Sequence, residues 1–96
     1  MTRKSLAAAI GLASIAAAAA SAEPPAGAAA CSGCHPASAR VTSPVPRLAA
    51  VDRAAIVKAM QDFRSGQRPA TVMDRIAKGF TDEEIQAIAA WYATQR

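Results

Sequence analysis

Cys31, Cys34 and His35 stand together in the stretch "AAACSGCHPAS", and they are the chain's two cysteines and its single histidine, held within five consecutive positions of a 96-residue sequence. Two thiols and an imidazole at this spacing have four chemistries open to them. A Cys31–Cys34 disulfide would close so small a loop that it would constrain the unfolded chain very little, because that entropy grows with loop length. A redox dithiol of the thioredoxin kind sits beside a βαβ pattern, and nothing in this chain alternates strand with helix. A structural zinc site needs four ligands, and only three of the usual soft type are present. The fourth chemistry is covalent haem attachment, for which CxxCH is the signature. There the two thiols add to the two haem vinyl groups, and the residue after the second thiol turns its imidazole to the iron from the same short helical segment.

A haem held by one histidine has a further axial position, which an electron carrier fills, commonly with methionine, and which a sensor or peroxidase leaves open. Because His35 is the only histidine, a second histidine ligand from this chain is excluded. Met60 and Met73 are the candidates outside the N-terminal leader. Met60 lies in "DRAAIVKAMQDFRSG", where Ile56, Met60 and Phe63 follow one helical face, a pattern of core packing. Met73 follows the breaker-rich "SGQRPAT", so a loop can deliver it to a defined place, and this favours Met73 over Met60.

The elements that must position these residues begin after a leader. Arg3 and Lys4, an apolar run from Leu6 to Ala20 and the small residues Ala20-Ser21-Ala22 make the pattern of a cleaved secretory signal peptide over 1–22. The run is too short and too alanine-rich to span a bilayer, so no membrane span is expected after cleavage. The expected mature domain is 23–96, exported to the periplasm. Without Arg3 and Lys4 the 11 basic residues fall to nine against seven acidic ones, and the formal charge falls from +4 to +2. No basic run or interleaved aromatics point to nucleic acid. One domain of this size buries little surface of its own, and a haem would supply the missing core.

The pattern is all-α. A short first helix is expected from about Pro24 through the CxxCH segment, then a loop from Pro36 to about Val51 containing Pro44 and Pro46. A middle helix covers roughly 52–64 and stops at Ser65-Gly66. A third runs from about Ala70 to Lys78, with Gly79 as a left-handed cap. The last helix opens on a Thr81/Glu84 capping box with Phe80 and Ile85 at staple positions, and carries an apolar stripe of Ile85, Ile88, Ala89 and Tyr92. Asp82, Glu83 and Glu84 complement the dipole of its first turn and are not read as a metal site. Asp74 and Lys78 have the spacing of an exposed ion pair. Arg64, Arg68, Arg75 and Lys78 flank Met73 either as an ordinary solvated face or as a docking patch.

The order of CxxCH, proline-containing loop, helix, loop methionine and capped C-terminal helix resembles the small single-domain c-type cytochromes, about four short helices wrapped around one covalently bound haem c. Within them, "DFRSGQRPATVMDRIAKGFTDEEIQAIAAWYATQR" looks most like the cytochrome subunit of flavocytochrome c sulfide dehydrogenase and related small cytochromes. The resemblance makes Cys31 and Cys34 the thioether positions, His35 the proximal iron ligand and Met73 the distal one. It makes Pro46 the residue whose carbonyl accepts a hydrogen bond from the ligand imidazole, Leu48 a residue packed on the haem, and Met60 an apolar core residue. It implies periplasmic single-electron transfer, with a sulfide-oxidising flavoprotein subunit as redox partner. A free shuttle to an oxidase or another dehydrogenase, and a haem-based ligand sensor, are the alternatives. The chain has no general base, nucleophile pair or flavin site, so it is expected to be no enzyme by itself. Two departures stand out: only "AGAAA" precedes Cys31 where relatives carry a larger residue at the crossing of first and last helices, a space for Trp91 or Tyr92 to fill, and Pro36 follows the histidine where many have glycine.

Overall fold

The structure, a computed structural model, describes residues 23–96 together with position 11. The expected signal peptide, 1–22, lies outside the described residues apart from Gly11. Four helices and no strand are present among the described residues: α1 (Ala28–Cys31), α2 (Arg53–Ser65), α3 (Met73–Ala77) and α4 (Asp82–Thr94). This is the all-α architecture that the periodicity demands, and no helix among the described residues is long and apolar enough to cross a membrane.

The first helix starts later than expected. Gly27 adopts φ 87°, ψ −19°, and the Ala28 N–H donates to the Pro25 carbonyl at 3.0 Å. A four-residue turn with a positive φ at its third residue is what glycine there permits, so Pro24 and Pro25 lead into a turn and the helix begins at Ala28. From Cys31 the backbone continues as a tight turn, with the Cys34 and His35 N–H groups both donating to the Cys31 carbonyl, at 3.2 and 2.9 Å. Cys31, Cys34 and His35 therefore leave one short helical coil.

Helix α2 forms where expected. The Asp52 side chain caps the Ala55 N–H, Gly66 closes the other end at φ 80°, and Ile56 is buried while Met60 packs against the core from its edge. Helix α3 is shorter than the sequence suggests, because residues 70–72 stay outside it and Met73 is its first residue. Lys78 rather than Gly79 caps it, in right-handed conformation, and Gly79 has no positive φ. The capping box of α4 is complete: Thr81 Oγ1 accepts from the Glu84 N–H at 3.2 Å, and the Thr81 N–H donates to Glu84 Oε1 at 3.0 Å. Such a cap contributes about 1 kcal/mol.

The core sits where α1 and α2 meet α4. Ala28 and Ala89 are fully buried, with Ile56, Ile88 and Tyr92 around them. The small residues before Cys31 let α1 approach α4 closely. Tyr92 fills the space as expected, and its hydroxyl donates to the Ala28 carbonyl at 2.6 Å across 64 residues of sequence. Phe80 fills the rest: a Cβ placed on Gly27 would lie 2.5 Å from Phe80 Cε1. The Tyr92 carbonyl in turn accepts from the Ala50 N–H at 3.0 Å, and Ala50 takes a positive φ of 61° to reach it, fixing the end of the proline loop to α4.

Candidate functional site

His35 is half-buried, and its Nδ1 lies 2.6 Å from the carbonyl oxygen of Pro46. A carbonyl can only accept, so Nδ1 carries a proton, and in the neutral ring Nε2 is the nitrogen that keeps its lone pair. The ring is thereby held in the tautomer that can ligate a metal through Nε2, and such a partner fixes both ring orientation and ligand basicity. The proline loop is rigid enough to hold that carbonyl, since Pro44 and Pro46 restrict it and Arg47 Nε donates to the Ala37 carbonyl at 2.8 Å, tying its two ends.

The two thiols are free and differ in setting. Cys34 is exposed, whereas Cys31 is half-buried and its Sγ lies 3.6 Å from the Gly27 carbonyl. Burial pushes the Cys31 thiol up, opposed in part by the neighbouring Tyr92 hydroxyl, and burial likewise pushes Tyr92 up, with Cys31 adding to it. An apolar cleft of about 260 Å³ opens beside His35, lined by Ala29, Pro36, Leu48 and Ala49, by Trp91 of α4 and by Gln95 just past its end, among others. Leu48 and Trp91 also pack against the core and are only partly covered. Among the described residues, no three histidine, cysteine, aspartate or glutamate side chains converge as a metal cluster.

Met73 is half-buried at the start of α3 and does not line the cleft beside His35. The structure thus brings Cys31, Cys34, His35 and Pro46 together through one coil and one loop, and holds Met73 on a separate element at the end of the preceding loop. Met60 lies inside α2 against the core, as its periodicity implied.

Comparison with known proteins adds the chemical class. No family model matches the chain. Over 62 residues it is 40% identical to the cytochrome subunit of sulfide dehydrogenase of Chlorobaculum tepidum, a match covering 65% of this chain and 56% of that protein. Over this span the chain is similar to a cytochrome subunit. Over 63 residues it is also 43% identical to the thiosulfate dehydrogenase electron acceptor of Stutzerimonas stutzeri, covering 64% of this chain and 29% of that protein. It therefore spans just over half the length of the first relative and under a third of the second.

A cytochrome's haem suits the residues present. The CxxCH coil offers an imidazole whose Nε2 is directed away from the Pro46 hydrogen bond and two free thiols, while Met73 stands apart on α3. Leu48 and Trp91, which line the cleft beside His35, are incompletely covered by protein, which suits an apolar macrocycle as packing partner.

Several features escaped the sequence. The Asp74–Lys78 ion pair does not form: the ion pairs among the described residues are Lys58–Asp62 and Arg64–Asp82, and Asp74 turns Oδ1 into the protein, where it is buried without a partner. Its place in the first turn of a five-residue helix points it inward, beside the buried Ala77. Arg64 leaves the supposed patch around Met73, because its guanidinium donates to Asp82 Oδ1 and to the Phe80 carbonyl, both at 2.6 Å, and so clamps the end of α2 to the start of α4. No local signal announces a contact across 18 residues. The turn at Gly27 was legible in "PPAG", a proline-rich entry closed by glycine.

Proposed function

We propose that this chain is a periplasmic carrier of single electrons, with one haem c joined to Cys31 and Cys34 and ligated by His35 and Met73. When bound, the haem iron supplies a one-electron cycle between ferric and ferrous states, and the chain contributes ligation, orientation and exclusion of water. The observation that carries this reading is the His35–Pro46 hydrogen bond on the CxxCH coil, which leaves Nε2 ready to ligate beside two free thiols. On this reading 1–22 is a signal peptide and 23–96 the mature haem domain. The electron donor is a sulfide-oxidising flavoprotein subunit, and the chain is its non-catalytic cytochrome subunit, a reading supported by the likeness to the Chlorobaculum tepidum protein.

A second reading keeps the haem and changes the donor. The likeness to the Stutzerimonas stutzeri electron acceptor favours a chain that accepts electrons from a dehydrogenase of another sulfur compound. The two readings separate on purification from the native host, since a subunit stays with its flavoprotein through gel filtration and a shuttle elutes alone.

Covalent attachment tests the shared part. Protein matured in a periplasm with haem-attachment machinery should keep its haem on the polypeptide after denaturation, and Cys31→Ser/Cys34→Ser should release it. A haem that dissociates freely from the denatured wild-type chain would refute the proposal.

A further inference from the structure

Ala50 is a backbone outlier at the end of the proline loop. Among the described residues it is the one non-glycine with a positive φ, at 61°. The Val51 N–H donates to the Leu48 carbonyl at 3.2 Å, so residues 48–51 form a tight turn with Ala50 as its third residue. A turn with positive φ at that place ordinarily takes glycine. A Cβ is unfavourable there, and alanine keeps the conformation only where its surroundings hold it.

Tyr92 supplies the hold. Helix α4 ends at Thr94, so the Tyr92 carbonyl belongs to the last turn, where no helical N–H lies four residues on. The Gln95 N–H reaches it from the helix end at 3.1 Å, and the Ala50 N–H reaches it from the proline loop at 3.0 Å. The side chain of the same residue points to the opposite wall. Its hydroxyl donates to the Ala28 carbonyl at 2.6 Å, a buried bond to the first residue of the helix that carries Cys31. Tyr92 thus joins the CxxCH coil, which bears His35, to the loop that bears Pro46, four residues before Ala50. These are the two halves of the 2.6 Å His35–Pro46 hydrogen bond. The Arg47–Ala37 bond ties the loop only to itself.

We propose that Tyr92 is a positioning residue for the imidazole: it anchors the CxxCH coil through its hydroxyl and the strained turn at Ala50 through its carbonyl, and so holds the Pro46 carbonyl against His35 Nδ1. This rests on the haem reading, in which a carbonyl bound at Nδ1 makes Nε2 a stronger donor and so favours ferric iron. Loosening either anchor lets the carbonyl drift, weakens that donor and raises the reduction potential.

The test uses the haem-loaded protein, with the reduction potential read by spectroelectrochemistry and exchange of the His35 Nδ1 proton read by NMR in the reduced form. Tyr92→Phe removes the hydroxyl anchor. Ala50→Val keeps the N–H but sets a β-branched residue against the positive φ. Both should raise the potential and speed the exchange by about tenfold. Ala50→Gly keeps the N–H and the turn without the cost of a Cβ, and should match the wild type in both readings. Thr81→Ala breaks the capping box at the far end of α4, and should lower stability to urea without moving potential or exchange. The proposal is overturned if Tyr92→Phe and Ala50→Val both keep the wild-type readings. It is also overturned if Thr81→Ala moves them as far as Tyr92→Phe does, since general loss of stability would then explain the shift. Wild-type protein that does not retain its haem after denaturation defeats the haem reading, whereas retained haem with unmoved readings defeats the positioning role alone.

Discussion

Replacing Gly27 by alanine tests the joint between the CxxCH coil and the rest of the fold. Two penalties arise at one atom. Gly27 holds φ 87°, where an L-residue with a Cβ costs about 1–2 kcal/mol. The new Cβ would also lie 2.5 Å from Phe80 Cε1, 3.3 Å from Phe80 Cζ and 3.4 Å from Ile88 Cδ1. Phe80 has little room to retreat, since its carbonyl is held by Arg64 and it packs on the core directly before the capped start of α4. Overpacking of this kind costs about 1–3 kcal/mol. Together Gly27→Ala should lose about 2–5 kcal/mol, a large share of what a domain this small can hold. Urea unfolding of the haem-loaded protein, followed by far-ultraviolet circular dichroism, measures it. Adding Phe80→Leu should return the steric part and leave the backbone part, so the double variant should be more stable than Gly27→Ala alone. A loss below about 0.5 kcal/mol for Gly27→Ala would show that α1 does not approach α4 as described.

Three further outcomes follow from the same contacts. Tyr92→Phe removes the donor to the buried Ala28 carbonyl and should cost about 1–3 kcal/mol by the same unfolding assay; a neutral result would mean that water replaces the hydroxyl. Arg64→Met loses the hydrogen bond to the Phe80 carbonyl and a largely exposed ion pair, and should cost about 1 kcal/mol, with little of the loss recovered in high salt because the pair itself is weak. Hydrogen bonds from Thr81, backbone first and side chain second, hold the Glu84 carboxyl below its ordinary value of 4.5. A depressed folded value means that the cap's contribution is present above pH 4.5 and is lost as pH falls through the folded value, so Glu84→Gln should flatten the acid limb of a stability–pH curve, and an unchanged limb would contradict the capping box.

What could be read from the sequence was what local chemistry specifies. Asp52, Gly66 and the Thr81/Glu84 pair mark helix ends through bonds made within a few residues, and the structure has them where the spacing puts them. The CxxCH coil is equally local, and the helical stripe through Ile85, Ile88 and Tyr92 announces its own buried face. The errors fall where tertiary contact decides. Helix propensity over 24–31 yields to the turn that seats Gly27 under Phe80, and the ion-pair spacing of Asp74 and Lys78 yields to the inward tilt of α3. The Arg64 clamp and the Tyr92–Ala28 bond join residues 16 to 64 apart, and no periodicity encodes them. The Pro46 carbonyl was expected only through resemblance to cytochromes, and the structure places it 2.6 Å from His35 Nδ1. The ligand role of Met73 rests on its place at the end of a loop and at the edge of α3, and a spectrum decides it.

That spectrum is the absorption of the haem-loaded protein in both oxidation states, taken for the wild type, Met73→Ala and Met60→Leu. With Met73 as the distal ligand, Met73→Ala should lose the low-spin methionine–histidine signature, while Met60→Leu, which alters only a residue of α2 packed against the core, should keep it. A normal methionine-ligated spectrum in Met73→Ala, or its loss in Met60→Leu, would contradict the assignment.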